Sequence, residues 1–319
     1  MALTTLLDIA KLNGCDNAIP LIEEVLRWSP EVEMGSARTI KGTNYRARVR
    51  TSLPTAGFRS ANAGVTASKS TFENRLFETY MLNPKWFCDK AVADRYEDGA
   101  QAFIAMEALG IMQASMISLS KQFYYGRSSL ADTAGFPGLV DMVDSTSMVK
   151  DVTGSTVYSS ASAESTTNMS TSVWAINWGI QDVSWLWGNN GQLVVTPAVE
   201  VPNFTDPNAT TTTFTAYHQE LLAYPGLQVG NKWACARAYN VTGDTGKGCT
   251  DKVLGNLRVL FPPQKQPMAY FMTTLAQEQL RQSRTATNPT GAPAPIPTDY
   301  MGTPIYVTNG ISNQEAIIT

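Results

Sequence analysis

The longest regular signal in the chain runs from Asp94 to Tyr125. Within it Ala102, Phe103, Met106, Leu109, Gly110, Met112, Met116, Ile117 and Phe123 fall near three- and four-residue spacings in a proline-free stretch, the repeat of one helical face. The spacing predicts a single helix of about 30 residues, roughly 45 Å long at 1.5 Å per residue, ending at Tyr125-Gly126. Upstream, Thr4 or Thr5 can cap a short helix carrying Leu6, Leu7, Ile9, Ala10 and Leu12 and ended by Gly14, and a second spans Ile19 to Trp28 before Pro30. Neither is long enough to stand alone, so both read as an arm that docks on something larger.

Between the arm and the long helix the period drops to two. Tyr45, Ala47 and Val49 alternate with Arg46, Arg48 and Arg50, the pattern of a half-exposed strand. A turn-rich stretch through Pro54-Thr55-Ala56-Gly57 and Asn62-Ala63-Gly64 follows, and Phe72 to Leu82 is strand-like again. The prediction is a long two-stranded ribbon with a loose tip. Two strands alone bury too little surface to offset the ordering of their backbone, so the ribbon must lie against another surface; a solvated basic face on its own domain is the competing reading.

Beyond the long helix, Ser172–Trp178, Val183–Trp187 and Lys232–Tyr239 are rich in strand formers, with turns at 188–191 and Pro225-Gly226. Five of the seven tryptophans lie in this region, as core and sheet-face anchors rather than a ligand cage. Ser145–Thr171 and Asp206–Thr213 read as Ser/Thr/Asn-rich loops, and Thr285–Pro297 as a proline-rich one. Pro267–Met272 reads as a buried strand, Thr274 as the cap of a helix over Leu275–Gln282, and Pro304–Thr308 as a final strand.

Composition narrows the function classes. A chain of 319 residues holds about two packed units. With 24 Lys and Arg against 27 Asp and Glu, the overall balance gives no reason to expect a nucleic-acid or membrane-surface binder. The distribution is more telling. Residues 36–70 hold Arg38, Lys41, Arg46, Arg48, Arg50, Arg59 and Lys69 with no Asp or Glu. Between Lys150 and Lys232 there is no Lys or Arg, while Asp151, Glu164, Asp182, Glu200, Asp206 and Glu220 are present. A basic arm and an acidic plate in one chain suggest complementarity between copies.

Catalytic chemistry finds little support. The one histidine, His218, excludes a multi-histidine zinc site, and on a strand it reads as a hydrogen-bonded or surface residue. Cys15, Cys88, Cys235 and Cys249 lack paired spacing and the N-terminus lacks a secretion signal, so they read as free thiols in a reducing cytoplasm. Gly243–Gly248 misses the phosphate-loop pattern, with Val241 where Gly is needed and Gly248 in place of Ser or Thr. Ser118-Leu119-Ser120-Lys121 lacks the companion motifs of penicillin-binding enzymes. The pairs Glu23 with Glu24 and Glu31 with Glu33 leave a glycosidase as a weak rival. Phe103–Leu119 is interrupted by Glu107, Gln113, Ser115 and Ser118 and falls short of the roughly 18 to 20 apolar residues of a bilayer span.

Several stretches together resemble a known family. Thr51-Ser52-Leu53-Pro54-Thr55-Ala56-Gly57-Phe58-Arg59-Ser60-Ala61-Asn62-Ala63-Gly64-Val65, preceded by Leu6–Lys11 and followed by the long helix, is similar to major capsid proteins of short-tailed bacterial viruses with the Hong Kong 97 type fold. Trp174-Ala175-Ile176-Asn177-Trp178 and Arg237-Ala238-Tyr239-Asn240 resemble strands of that family, and Tyr270–Thr273 into Leu280-Arg281 and Met301–Ile305 into Asn313–Glu315 resemble its closing strand, helix and strand. The loops at 145–171 and 203–214 depart from it.

The resemblance implies an α+β fold with an N-terminal arm (1–35), an extended loop that is the ribbon (36–82), a spine helix in 83–126, a connection (127–169), peripheral-domain strands (170–245) and an axial domain with the C-terminal strand (246–319). It implies hexamers and pentamers of an icosahedral shell around double-stranded DNA that is contacted non-specifically. It also implies a separate scaffolding protein, a portal at one vertex and a possible cement protein, with assembly in the bacterial cytoplasm. No enzyme activity, cofactor, metal or membrane is expected. Tyr45, Arg46, Arg48, Arg50, Phe58, Arg59 and Lys69 are the candidate inter-subunit contacts, and a covalent crosslink through Lys41 or Lys69 is expected to be absent. A head or tail decoration protein and a carbohydrate-active module are the alternatives.

Overall fold

The computed structural model describes residues 4–13, 29–144, 170–206, 209–244, 246–289 and 291–317. The helix expected over Ile19–Trp28, Cys15, the pair Glu23 and Glu24, and all but the end of the stretch 145–171 lie outside these residues. In chain order the elements are α1 (Leu6–Leu12), α2 (Pro30–Met34), β1 (Ala37–Thr39), β2 (Asn44–Ser52), β3 (Thr71–Glu78), β4 (Lys85–Asp89), α3 (Lys90–Ala93), α4 (Ala100–Tyr125), α5 (Leu139–Asp144), β5 (Thr171–Ile176), β6 (Val183–Trp187), β7 (Val194–Val195), β8 (Val199–Asp206), β9 (Ala209–Leu222), β10 (Pro225–Val229), β11 (Cys235–Val241), α6 (Asp251–Val259), β12 (Ala269–Met272), α7 (Thr274–Ala286), β13 (Asp299–Tyr300) and β14 (Thr303–Val307).

The long helix forms, but shorter than its spacing implies. It begins at Ala100 because Gly99 holds φ 88°, a conformation that a continuous helix does not admit; Asp94 to Asp98 form turns instead. It ends where expected, at Gly126, whose φ of 54° and ψ of −124° suit only glycine. A Cβ there would stand 1.9 Å from Asp141 Oδ2 and 2.0 Å from Gly138 N. By length and composition α4 is apolar enough to cross a membrane, contrary to the reading of Phe103–Leu119, because its Ala, Ile, Leu and Met residues outweigh the four polar interruptions. Only 22% of its most apolar window is buried in the chain, so α4 keeps an apolar face uncovered.

The buried face of α4 carries the main core. Phe123 stacks with Trp178 and lies 5.1 Å from Trp185, and Tyr124 packs on Trp174. Gln122 is buried without penalty because its side chain donates to Phe136 O at 2.7 Å. Trp174 and Trp185 are fully buried and Trp178, Trp187 and Trp233 border the same core, the anchoring role expected of them. A smaller core joins the arm to the start of α4: Ile9 with Cys88, Ala93, Phe103, Ile104 and Tyr217. Thr5 caps α1 in a reciprocal pair with Asp8.

Among the described residues the strands form four sheets. Three strands run in the order β1-β6-β10, five in the order β11-β5-β12-β14-β13, β2 pairs β3 alone, and β4-β9-β7 form a further sheet to which β8 is added on β9. The five-stranded sheet therefore takes β5 and β11 from 170–245 together with β12, β14 and β13 from 246–319, so a cut at residue 245 runs through one hydrogen-bonded unit. Two local expectations are corrected. Within Asp206–Thr213 the described residues are strand: β8 ends at Asp206 and β9 begins at Ala209, pairing Thr205 with Thr213 and Phe204 with Phe214. The cap of α7 is Thr273, whose side chain accepts from Ala276 N, with Thr274 already helical.

The C-terminal segment is fastened to the core by charge. Glu315 accepts from Tyr125, Ser172 and Arg237, the last at 3.2 Å, with Glu315 and Arg237 both buried. Arg237 also lies over the rings of Trp174 and Tyr239.

Candidate assembly surface

The ribbon carries the surface that the sequence singled out. β2 and β3 pair antiparallel from Asn44 with Glu78 to Ser52 with Thr71, and the alternation read from the sequence is the alternation of burial. Tyr45, Ala47 and Val49 are half-buried; Arg46, Arg48 and Arg50 are exposed. The register sets Arg46 opposite Leu76, Arg48 opposite Asn74 and Arg50 opposite Phe72, so the outer face mixes cations with exposed apolar side chains. Among the described residues none of these three arginines has an ion-pair partner; Arg50 lies 5.4 Å from the Phe72 ring centre. Of the ribbon's two carboxylates, Glu73 lies on the opposite face and pairs with Arg75 at 3.6 Å, and Glu78 accepts from Tyr80.

The foot of the ribbon is fixed to the chain's own body. Arg75 donates to Gly230 O at 3.1 Å, Tyr45 donates to the Gln228 side chain and packs on Phe77, and Tyr80 N donates to Pro225 O at 2.8 Å. Gly226 is required here because a Cβ would lie 2.4 Å from Glu78 O. Tyr45, expected as an inter-subunit contact, is half-buried and makes these contacts within its own chain. The tip behaves differently. Every residue from 51 to 69 is exposed, including Arg59, Lys69 and a fully exposed Phe58. A cleft of about 650 Å³ separates the ribbon from the body, lined by Arg38, Arg48 and Arg50 against Gln181, Gln228 and Asn231.

The acidic plate does not form among the described residues. Asp182 is buried and paired with Lys265, and Glu200 is paired with Lys90 at 2.6 Å. Asp182 and Glu200, from a stretch without Lys or Arg, thus find their cations elsewhere in the chain. Asp151 and Glu164, and the Asp206 side chain, lie outside the description.

A second exposed surface runs along α4. Ala105, Ala108, Leu109, Ile111 and Met112 face Val195 and Leu221 across a cavity of about 360 Å³ in which Glu220 is the only charged lining residue. A further cavity of about 290 Å³ between Met112, Met116, Leu119, Trp187 and Leu193 continues it. The sequence signal for this groove was present in the helical repeat, which has more apolar residues than one buried face uses.

His218 sits on β9, half-buried, with its ring 4.5 Å from that of Phe87. Glu31 is fully buried while Glu33 is exposed, so that pair does not share a cleft. Gly243 and Asp244 lie in a turn closed by Lys247 N donating to Asp244 O. Among the described residues no cluster of three metal-ligating side chains forms.

The model of the family described as major capsid protein GP7 matches residues 18–319. Comparison with curated proteins gives no match. Among solved structures the chain is similar to one of bacteriophage Epsilon15, with a TM-score of 0.75 and 19% identity over 99% of this chain and 97% of that one. A chain of Mycobacterium phage Bobi matches with a TM-score of 0.46 and 11% identity over 76% and 99%. The capsid of the native GTA particle matches at 0.44 and 10% over 71% and 95%.

Proposed function

Because the chain belongs to the major capsid protein GP7 family, and so is a structural component of a phage capsid with the α+β fold of such shells, we propose that it closes an icosahedral shell from hexamers and pentamers in which each copy grips the next with its basic ribbon. The observation that carries this is the ribbon itself: three exposed arginines with no ion-pair partner among the described residues, and a tip whose residues 51–69 are all exposed. A two-stranded element of this kind is marginal unless covered. Its foot is covered by its own body; a neighbouring copy covers the rest. Arg46, Arg48, Arg50, Arg59, Lys69 and Phe58 are the contacts on this reading, and Tyr45 sets the angle at which they are presented.

Individual contacts below about 1,200 Å² are weak, but a shell closes many at once, so reversible contacts permit correction and their sum retains the genome. The enclosed genome is double-stranded DNA, contacted without sequence preference. Assembly takes place in the bacterial cytoplasm on a separate scaffolding protein, with a portal at one vertex and room for a cement protein outside. The peripheral and axial units follow the sheets rather than residue 245: α4 with the β4-β9 sheet forms one, and the five-stranded sheet the other. No catalytic group is called for.

Reversing charge at the three arginines together (Arg46→Glu, Arg48→Glu, Arg50→Glu) is expected to leave soluble folded subunits and no closed particles in electron micrographs. Normal shells from that variant would remove the ribbon from the assembly contact.

A further inference from the structure

The root of the arm and the segment that follows β14 meet at one carboxyl group. Glu31 of α2 is fully buried. Its backbone oxygen accepts from Trp185 Nε1 at 2.9 Å and from Gly35 N at 3.2 Å, which holds α2 against β6. Its side chain is enclosed by Ser120 and Tyr124 of α4 and by Thr308 and Gly310 beyond β14. A Cβ on Gly310 would stand 3.0 Å from Glu31 Oε1 and 3.1 Å from the Tyr124 ring. With the segment packed this closely, the carboxyl cannot turn to water unless α2 or the segment itself moves.

The enclosure suits an acid better than its anion. Among the described residues no cation pairs with Glu31. The groups facing it are the hydroxyls of Ser120, Thr308 and Tyr124, while Glu33 on its own helix is exposed. Oε1 accepts from Ser120, but Oε2 and the Tyr124 hydroxyl are both buried without a hydrogen-bond partner. A buried charge with no partner is costly, whereas a carboxylic acid brings its own O–H to donate. Glu315, further along the same segment, meets Arg237 at 3.2 Å and is fastened as an anion.

We propose that Glu31 is folded in as a neutral acid and acts as a proton-held latch, tying the arm root and residues 308–311 to α4 as one unit that lets go when the proton passes to water. The opening is local, because neither the strands of the five-stranded sheet nor the pairing of Glu315 with Arg237 depends on that proton. Below the ordinary carboxylate value of about 4.3 the latch is fully closed. Above it the open form, exposed to water, ionises first, so opening gains up to about tenfold per pH unit until the enclosed acid titrates as well, and then levels off. The latch belongs to the single chain and is independent of the ribbon. It allows the arm to be redirected while the core stays folded.

The test is hydrogen exchange read by mass spectrometry on the unassembled full chain, from about pH 4 to about pH 8, each rate divided by the intrinsic rate at its pH. The reporters are Gly35 N, bonded to Glu31 O, and Thr308 N, bonded to Met272 O at 3.0 Å. Peptides covering the two are expected to lose protection together, by at least about tenfold in total, and then to level off. Peptides covering Thr171–Ile176 and Ala269–Met272 are expected to hold theirs. Flat protection at both reporters, a response at one alone, or loss throughout the chain overturns the proposal. Glu31→Gln is expected to flatten both responses, and an unchanged slope in that variant also overturns it. Ser120→Ala removes the donor that favours the ionised form, so the levelling-off is expected at higher pH than in the parent; an unmoved or lower value overturns the latch. Should Glu31→Gln not fold, the parent series and Ser120→Ala decide.

Discussion

Glu31 sits in the root of the arm with neighbours that are hydroxyls rather than cations: Ser120, Tyr124 and Thr308. Ser120 donates to its carboxyl, and Trp185 Nε1 donates to its backbone oxygen at 2.9 Å. Burial pushes its carboxyl above the usual range, because the charged form is the one that loses water. A raised folded value means that stability is fully present below the ordinary carboxylate pKa of about 4.3 and is lost as pH climbs through the folded value. Glu31→Gln keeps the acceptor for Ser120 and removes the proton. In calorimetric scans from pH 4 upward, the melting temperature of the variant is expected to exceed that of the parent by a margin that widens with pH and then levels off; a constant margin would contradict this. Glu315 is the opposite case, buried but paired with Arg237, and neither was legible in the sequence. Their partners lie 89 and 78 residues away, and burial of a carboxylate depends on those partners rather than on its neighbours in the chain.

At the scale of elements, two glycines of the α4 region make a controlled comparison. Gly110 is in an exposed helix interior with nothing within 4 Å of an added Cβ, whereas Gly126 has a left-handed φ and a backbone nitrogen 2.0 Å from that position. Gly110→Ala is expected to stabilise by about 1 kcal/mol through helix propensity. Gly126→Ala is expected to cost at least about 1–3 kcal/mol in backbone strain, more with the clash. Urea denaturation of the two variants separates them, and similar midpoints would remove the structural role given to Gly126. The elements that were legible were those whose period and partner are local: the α4 repeat, the Tyr45–Arg50 alternation, the α1 cap. The first part of β9 was missed because the run Thr210–Thr213 was weighed by polarity, whereas threonine is β-branched and favours strands; the part around His218 was read as strand. The start of α4 was missed because the helix was extended back to Asp94 across Gly99, whose positive φ breaks it.

For the whole molecule, the order of arm, ribbon, long helix and strands sufficed to place the α+β class and the capsid family. The order of residues did not reveal which strands share a sheet, since β5 and β11 join strands from the last quarter of the chain, nor which charges meet, since Glu200 reaches back 110 residues to Lys90. The exposure of Arg46, Arg48 and Arg50 was legible, because exposure of a cation follows from alternation, whereas the packing of Tyr45 on its own chain was not, because the direction of an aromatic depends on the sheet behind it. A free subunit presents Arg59 and Lys69 to solvent. Trypsin is expected to cut there within minutes in the unassembled chain and at least about tenfold more slowly in particles, as a gel time course will show, because only the covered state needs an opening step before cleavage. Equal rates would place the tip outside any contact.

The ribbon is held at one end and free at the other, which makes it a cantilever. β2 has 9 residues and spans roughly 30 Å at 3.3 Å per residue, so a rotation of about 10° at the foot carries its far end through about 5 Å. Few bonds resist that rotation, chiefly those from Arg75 and Tyr45 to Gly230 and Gln228. A rigid body bearing such a lever lets identical copies meet at unequal curvature, flexing the handle and leaving the grip itself unaltered.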